Sequence, residues 1–435
     1  MSKKDKELRQ QVACEWLEQN YLNWGHLRHD IVTDRLQIRC ADSTGEEAIR
    51  RGGERQERWR NLTDKDINTM VCNCVAESQV NINVSEMWTA LKSDMVPSVH
   101  PIRAWLDGLP PYTPDQPDWI DWLAQQVRVK PSGEEAKGDK ARGEELWRAC
   151  FKKWFVAMVA SWMKDEVVNH TVLVLVGRQG IFKTTWLDHL IPPALREYSS
   201  KLPLSGQISK DDRLRLCENA MLNIDELDAI CGREMNIVKS LLTSTDVNER
   251  AAYGRLKERR VRLASFCAST NNREFLTDVT GNRRWLPFEV ESIQNPFHIT
   301  LPYELIYAQA KALVESGRFI YWFDLEDIEQ LEKHNEEFRA QDSEEQLLPI
   351  LFDVPAEGKG EFMTTAEISD KLVTYGGIKK PMALNRLGVL LGKAGYRTVT
   401  RGSRDARVRG WIVYQRDNEQ INANRRLLIH ECVTV

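Results

Sequence analysis

Val172–Thr185 reads V-L-V-L-V-G-R-Q-G-I-F-K-T-T, and this stretch decides the fold. Val172 to Val176 is an apolar run with the length and β-branched content of a buried strand. The run breaks at Gly177 and Gly180, then passes Lys183, Thr184 and Thr185 into an apolar helix start at Trp186 and Leu187. Strand, glycine-bearing loop and helix in that order make a phosphate-binding loop of the form G-x-x-x-x-x-K-[ST]. Glycines let backbone N–H groups turn toward an anion, and the helix N-terminus adds the positive end of its dipole. The candidate cradle is Gly177, Arg178, Gln179, Gly180, Ile181, Phe182, Lys183, Thr184 and Thr185. Lys183 is placed to reach the β- and γ-phosphates of ATP, and the Thr184 hydroxyl to ligate Mg²⁺. Phe182 stands where the usual loop has glycine. Its N–H donor survives, but a positive φ is harder for it to hold. By itself the segment also fits a strand–turn–helix with a chance Lys-Thr pair.

Downstream, A-M-L-N-I-D-E-L-D ends an apolar run in Asp225-Glu226. A strand that buries its body and exposes Asp225 at its C-terminal end sets a carboxylate beside the phosphate loop. Asp225 then serves the Mg²⁺ shell and Glu226 polarises the attacking water. The Asp-Glu order favours hydrolysis over phosphoryl transfer to a small acceptor. An ordinary strand end with exposed acids is the alternative, and the pairing with Lys183 weighs against it. A third apolar strand, V-R-L-A-S-F-C-A-S from Val261, ends in Thr270-Asn271-Asn272. The Asn271 amide is placed to sense the γ-phosphate or position water.

Further on, G-N-R-R-W-L-P-F carries Arg283 and Arg284. They are either arginine fingers reaching a neighbouring subunit's nucleotide or a surface ion-pairing couple. Between Asp225 and Asn271, E-R-A-A-Y-G-R-L-K-E-R-R reads as a hairpin turning at Tyr253-Gly254. Arg250, Arg255 and Lys257 flank that aromatic tip, a combination able to grip a phosphate backbone and stack a base. Many basic surface hairpins bind nothing, so its place inside a nucleotide domain carries its weight.

The chain has 435 residues, 42% hydrophobic and 29% charged, the composition of soluble globular domains. No apolar run approaches the roughly 18 residues of a membrane span, and M-S-K-K-D-K-E-L lacks the apolar segment of a signal peptide. Nine cysteines without paired C-x-x-C spacing point to reduced thiols and a cytoplasmic setting, with Cys72 and Cys74 as packing residues. A net charge of −4 means that any nucleic-acid contact comes from local basic patches.

Five segments are expected. Residues 1–143 form an α+β N-terminal region ending in the charged, glycine-rich stretch Pro131–Gly143. Residues 144–322 carry the phosphate-loop domain, introduced by the apolar helix around W-R-A-C-F-K-K-W-F. Residues 323–360 are an acidic amphipathic helix and linker, 361–416 a basic module, and 417–435 a tail. In the basic module, F-M-T-T-A-E-I-S-D-K-L is a helix capped by Thr364 or Thr365 with Glu367 in support. P-M-A-L-N-R-L-G-V-L-L-G-K-A-G is a second helix, followed by two strands, as in a winged helix. Arg386, Lys393, Arg397, Arg401 and Arg404 belong to a basic group opposed between residues 377 and 416 only by Asp405, an electrostatic footprint for phosphates. A protein-binding winged helix with a solvated basic face fits the same residues.

Together, G-R-Q-G-I-F-K-T-T, N-I-D-E-L-D, the Y-G-R segment, S-T-N-N-R-E-F-L-T-D and T-G-N-R-R-W resemble the compact AAA+ ATPases of the superfamily 3 helicases. They resemble still more closely the virulence-associated protein E family of phage and mobile-island proteins. The resemblance spans Glu144 to Val290, with W-R-N-L-T-D-K-D-I-N and M-V-P-S-V-H-P-I-R-A-W-L similar to the region upstream. It implies an α/β P-loop AAA+ core in a ring-forming, hexameric, DNA-dependent ATPase serving replication of a mobile element. It implies ATP at Lys183 and Thr184, Mg²⁺ and water at Asp225 and Glu226, Asn271 as sensor, and Arg283/Arg284 acting in trans. Phe182 departs from the family's glycine. Two functions are carried forward: an ATP-driven DNA helicase or translocase, and a nucleotide-switched DNA-binding or origin-assembly protein without unwinding activity.

Overall fold

The computed structural model describes residues 3–40, 59–131, 140–202, 209–225, 227, 232–249, 258–276, 282–340, 342–356, 359–379, 381–402 and 407–421. The fold is mixed α/β, and the chain divides into two compact units. One comprises Met1–Asn272 and Arg283–Lys333; the other comprises Arg273–Asn282 and His334–Val435.

In the first unit, β1 (Leu27–Asp30), β2 (Arg35–Arg39), β3 (Trp59–Asn61) and β4 (Ser98–Val99) form a sheet in the order β3-β2-β1-β4. Leu27 and Leu36 share an apolar cluster with Leu17, Met70, Met87 and Leu91 from the helices Lys3–Leu17, Asp64–Ser78 and Val84–Leu91. Two of these helices start on reciprocal caps, Thr63 with Asp66 and Asn83 with Glu86, which satisfy otherwise orphaned N–H groups. Cys74 is buried in this cluster as expected, whereas Cys72 is exposed.

The same unit holds a larger sheet of β5 (Val127–Val129), β6 (Val172–Val176), β7 (Ser199–Lys201), β8 (Met221–Ile224), β11 (Ser265–Thr270) and β12 (Trp285–Ile293). Between β8 and β11 in the chain, β9 (Asp246–Glu249) and β10 (Glu258–Val261) pair antiparallel as a separate ribbon. The large sheet runs β5-β12-β6-β11-β8-β7, parallel from β12 to β7, with β5 antiparallel at the edge. Every residue of β6, β8 and β11 is buried, as strands covered on both faces must be.

The helix Lys140–Met163 supplies much of that cover through Trp147, Phe151, Trp154, Phe155 and Trp162. Burial of each such ring contributes on the order of 2–3 kcal/mol. The indole N–H groups remain satisfied: Trp154 donates to Phe266 O and Trp162 to Ala220 O, each at 3.1 Å, and Trp147 donates to Ala124 O at 3.0 Å. Ile102, Leu106, Ile120, Leu123, Val127 and Val129 lie in this same core. Residues 101–129 therefore share the core of the larger sheet, although their sequence reads with the N-terminal region. The cause is β5, whose partner β12 is remote in the chain.

In the second unit, helices Ser343–Leu351, Thr365–Gly376 and Leu384–Lys393 pack with β13 (Phe352–Asp353), β14 (Glu361–Met363), β15 (Arg397–Arg401) and β16 (Val408–Gln415). β16 pairs antiparallel with β13, β14 and β15. Thr364 is the cap of its helix, exchanging hydrogen bonds with Glu367. Leu348, Leu351 and Phe352, from the stretch expected to be acidic helix and linker, are buried with Ile368, Leu387 and Val413.

Candidate nucleotide-binding site

Parallel strands deliver their C-terminal ends to one edge of the sheet, where open α/β sheets bind ligands. β6, β8 and β11 end there in Gly177, Asp225 and Asn271. β11 lies between the other two, so its tip stands between the loop and the acidic strand end.

Lys183 is buried and donates to Gly177 O at 2.7 Å, Arg178 O at 2.8 Å and Asn271 Oδ1 at 3.0 Å. Thr184 Oγ1 lies 3.3 Å from Asp225 Oδ1 and 2.9 Å from Ser269 Oγ. Ser269 Oγ also donates to Asp225 Oδ1 at 3.5 Å. Lys201, the last residue of β7, pairs with Asp225 Oδ2 at 2.5 Å. Ser269 and Lys201 were not singled out from the sequence. Two hydroxyls and a carboxylate converging in this way are hard oxygen donors, the chemistry Mg²⁺ prefers when substrate phosphates and water complete its shell. Among the described residues no group of three or more His, Cys, Asp or Glu is placed to hold a metal ion. Burial drives the Cys267 thiol well above its ordinary pKa, with Asp188 and Asp225 adding to the shift, so it stays protonated beside the site.

The loop takes its shape from unusual backbone angles. Gly177 has φ +156°, and a Cβ there would meet Val290 O and Ile181 Cδ1 at 3.1 Å. Gly180 has φ +84°. Phe182 holds the left-handed conformation at φ +66°, the difficulty its residue type predicted. Its ring packs edge-on against Phe297 at 6.5 Å, and Phe297 in turn against His189 at 5.6 Å. Arg178 and Gln179 are exposed, and Ile181, Thr184 and Thr185 half-buried.

Arg283 and Arg284 lie elsewhere. They form the 3₁₀ turn preceding β12, whose first residue Trp285 pairs with Val172 at the start of β6. The length of β6 separates them from their own loop, roughly 15 Å at a strand's rise per residue. Arg284 is close enough to lower the pKa of Lys239, after burial, which is the larger cause. β9 and β10 supply two antiparallel arms on either side of the expected hairpin tip. Arg250, Tyr253, Arg255 and Lys257 themselves, like Glu226, lie outside the described residues.

One feature of the ribbon's base was not anticipated. Arg262, fully buried between β10 and β11, donates to the carbonyls of Asn169 and Leu242 at 2.8 Å, Ala264 at 3.0 Å and Leu241 at 3.1 Å. Its guanidinium also lies 5.0 Å from the Phe266 ring centre. Burial pulls its pKa down to about 9, so it remains a cation at neutral pH, solvated by carbonyl dipoles.

In the second unit Arg397 and Arg401 are exposed on β15, and Arg401 lies 4.9 Å from the Phe362 ring. Arg386 instead pairs with Asp342 at 2.7 Å, and Lys393 lies 3.9 Å from Glu336. Acidic residues that precede the module in sequence thus offset part of the basic group, which correction the count within residues 361–416 could not supply. Arg404 lies outside the described residues. Among the described residues no helix is long and apolar enough to cross a membrane.

Residues 136–340 match the family profile of the Virulence-associated protein E-like domain. No curated protein matches the chain. Among solved structures it is similar to the A-form apo structure of the NrS-1 C-terminal region, at 11% identity over 92% of this chain and 99% of that one, with a TM-score of 0.44. A second apo structure of the NrS-1 C-terminal region is similar at 12% identity, over 92% of this chain and 99% of that one, with a TM-score of 0.41.

Proposed function

We propose that through residues 136–340, which match the Virulence-associated protein E-like domain, the chain works as an ATP-hydrolysing DNA helicase or translocase in replication of a phage or mobile element. The observation that carries the proposal is the meeting of Lys183, Thr184, Asp225, Ser269 and Asn271 at the tips of three adjacent parallel strands. Lys183 and the loop N–H groups bind the triphosphate of ATP, and Lys183 exchanges its carbonyl partners for phosphate oxygens. Thr184 and Asp225 would hold Mg²⁺, which would neutralise charge developing on the phosphates. Asn271 orients the γ-phosphate, and Glu226 draws the proton from water.

Arg283 and Arg284 stand at the opposite end of β6 from their own loop, which favours service at a neighbouring subunit's nucleotide and hence a ring, hexameric by the family resemblance. DNA contacts fall to Arg250, Tyr253, Arg255 and Lys257 of the hairpin expected from sequence and to Arg397 and Arg401 of the C-terminal module, taken as a winged helix. Such a machine works in the cytoplasm on a single strand of DNA.

Strand displacement on a fluorescently labelled fork tests the proposal. ATP-dependent opening that vanishes in Lys183→Ala is expected. Retention of the fork without opening would favour the nucleotide-switched DNA-binding protein instead.

A further inference from the structure

Asp225 faces two kinds of partner. Its Oδ1 meets the hydroxyls of Thr184 and Ser269, while its Oδ2 is held by the Lys201 ammonium at 2.5 Å. The backbone beneath Lys201 is fixed. Lys201 pairs with Asn223 across β7 and β8, Leu202 N donates to Asn223 O at 2.9 Å, and Arg215 Nη1 donates to Lys201 O at 2.9 Å. The side chain is 59% exposed and borders a cavity of about 420 Å³. Asp188 lies on the same cavity wall, its carboxylate held by Asn223 Nδ2 at 2.8 Å. Lys201 thus has one carboxylate at the metal position and a second within the space open to its chain.

We propose that Lys201 is a built-in competitor for the divalent cation at Asp225, displaced by the metal and received in the cavity beside Asp188. The inference rests on the metal role given to Asp225 above and adds how that site is regulated. Oδ1 and Oδ2 belong to one carboxylate, so a divalent cation on the Thr184 side and the Lys201 ammonium on the other repel across it and compete for its single charge. Metal entry therefore returns Lys201 to the cavity, with no bond made or broken except the ion pair. An exposed ion pair is weak, so the competitor yields readily and sets a threshold of metal concentration without blocking the site.

The test is a Mn²⁺ titration of the full chain without nucleotide, followed by the loss of the free-ion paramagnetic signal. Lys201→Met, and Lys201→Gln as its repeat, should tighten the Mn²⁺ midpoint about two- to five-fold, the upper part of the range an exposed ion pair supplies. Lys201→Arg should restore the wild-type midpoint, and Asp225→Asn should remove the site. A midpoint unchanged or weakened in Lys201→Met, or no Mn²⁺ bound by any of these proteins, overturns the proposal. The two proposals fail separately. Shifted midpoints in a protein that opens no DNA fork would sink the helicase alone, and fork opening with unshifted midpoints would sink the competitor alone.

Discussion

Asn271 Oδ1 accepts a hydrogen bond from Lys183 Nζ at 3.0 Å, tying the tip of β11 to the loop that follows β6. A bound γ-phosphate competes for that same ammonium, so Asn271 is left facing the phosphate. Asn271→Ala should lower turnover about 100-fold, the scale seen when one oriented polar group is removed from a transition state. Nucleotide affinity should change little. Parallel fluorescent-nucleotide binding and hydrolysis assays check this, and equal losses in both would contradict a sensing role.

Phe182 pays a conformational cost at φ +66° that glycine would not. Phe182→Ala and Phe182→Gly both lose the contact with Phe297, so their difference isolates the backbone angle. The glycine variant should be more stable than the alanine variant by about 1 kcal/mol. Thermal melts of the pair measure it, and equal melting temperatures would contradict the backbone account.

The strand–loop–helix was legible because Val172–Val176 is apolar throughout and the Gly and Lys-Thr spacing follows at once. Asp225 and Asn271 were legible for a related reason: each ends an apolar run in a polar residue. Lys201 was not, because Ser199–Lys201 has no apolar pattern and reaches the site only through pairing with β8. Ser269 carried a weak signal, a hydroxyl one residue from the end of a wholly buried strand. The Val127–Val129 strand escaped notice because three residues make no periodicity, while its partner β12 lies far along the chain. Arg262 gave no sign of full burial, since an arginine at the start of an apolar strand reads as solvent-facing until its carbonyl partners are assembled from three separate segments.

Placing Arg283 and Arg284 away from their own loop predicts complementation between subunits. Lys183→Ala and a double Arg283→Ala, Arg284→Ala variant should each be inactive alone. Mixing them should restore part of the hydrolysis, because some interfaces then join an intact loop to intact arginines. A mixture as inactive as its components would place the arginines outside the reaction.

His100 predicts an acid sensitivity. Its Nδ1 accepts from Arg103 N at 3.3 Å, capping the helix Pro101–Asp107, and burial, assisted by the Arg103 charge, lowers its pKa from 6.5 to about 4. Between those values the unfolded chain takes the proton first, so stability falls as pH drops from about 6.5 toward 4. His100→Asn keeps an acceptor at the cap but does not titrate. Its melting temperature should fall less than that of the wild type between about pH 7 and about pH 5, and an equal fall would assign the acid sensitivity to other groups.

Thr184 Oγ1 and Asp225 Oδ1 stand 3.3 Å apart, and the central claim is that they and Lys183 share one metal-bound triphosphate. The most direct measurement is calorimetric titration of ATP into wild type, Lys183→Ala and Asp225→Asn, with and without Mg²⁺. Wild type should bind in a Mg²⁺-dependent manner, Lys183→Ala should lose binding, and Asp225→Asn should bind without responding to Mg²⁺. Binding by Lys183→Ala at wild-type affinity, or an undiminished Mg²⁺ response in Asp225→Asn, would contradict it.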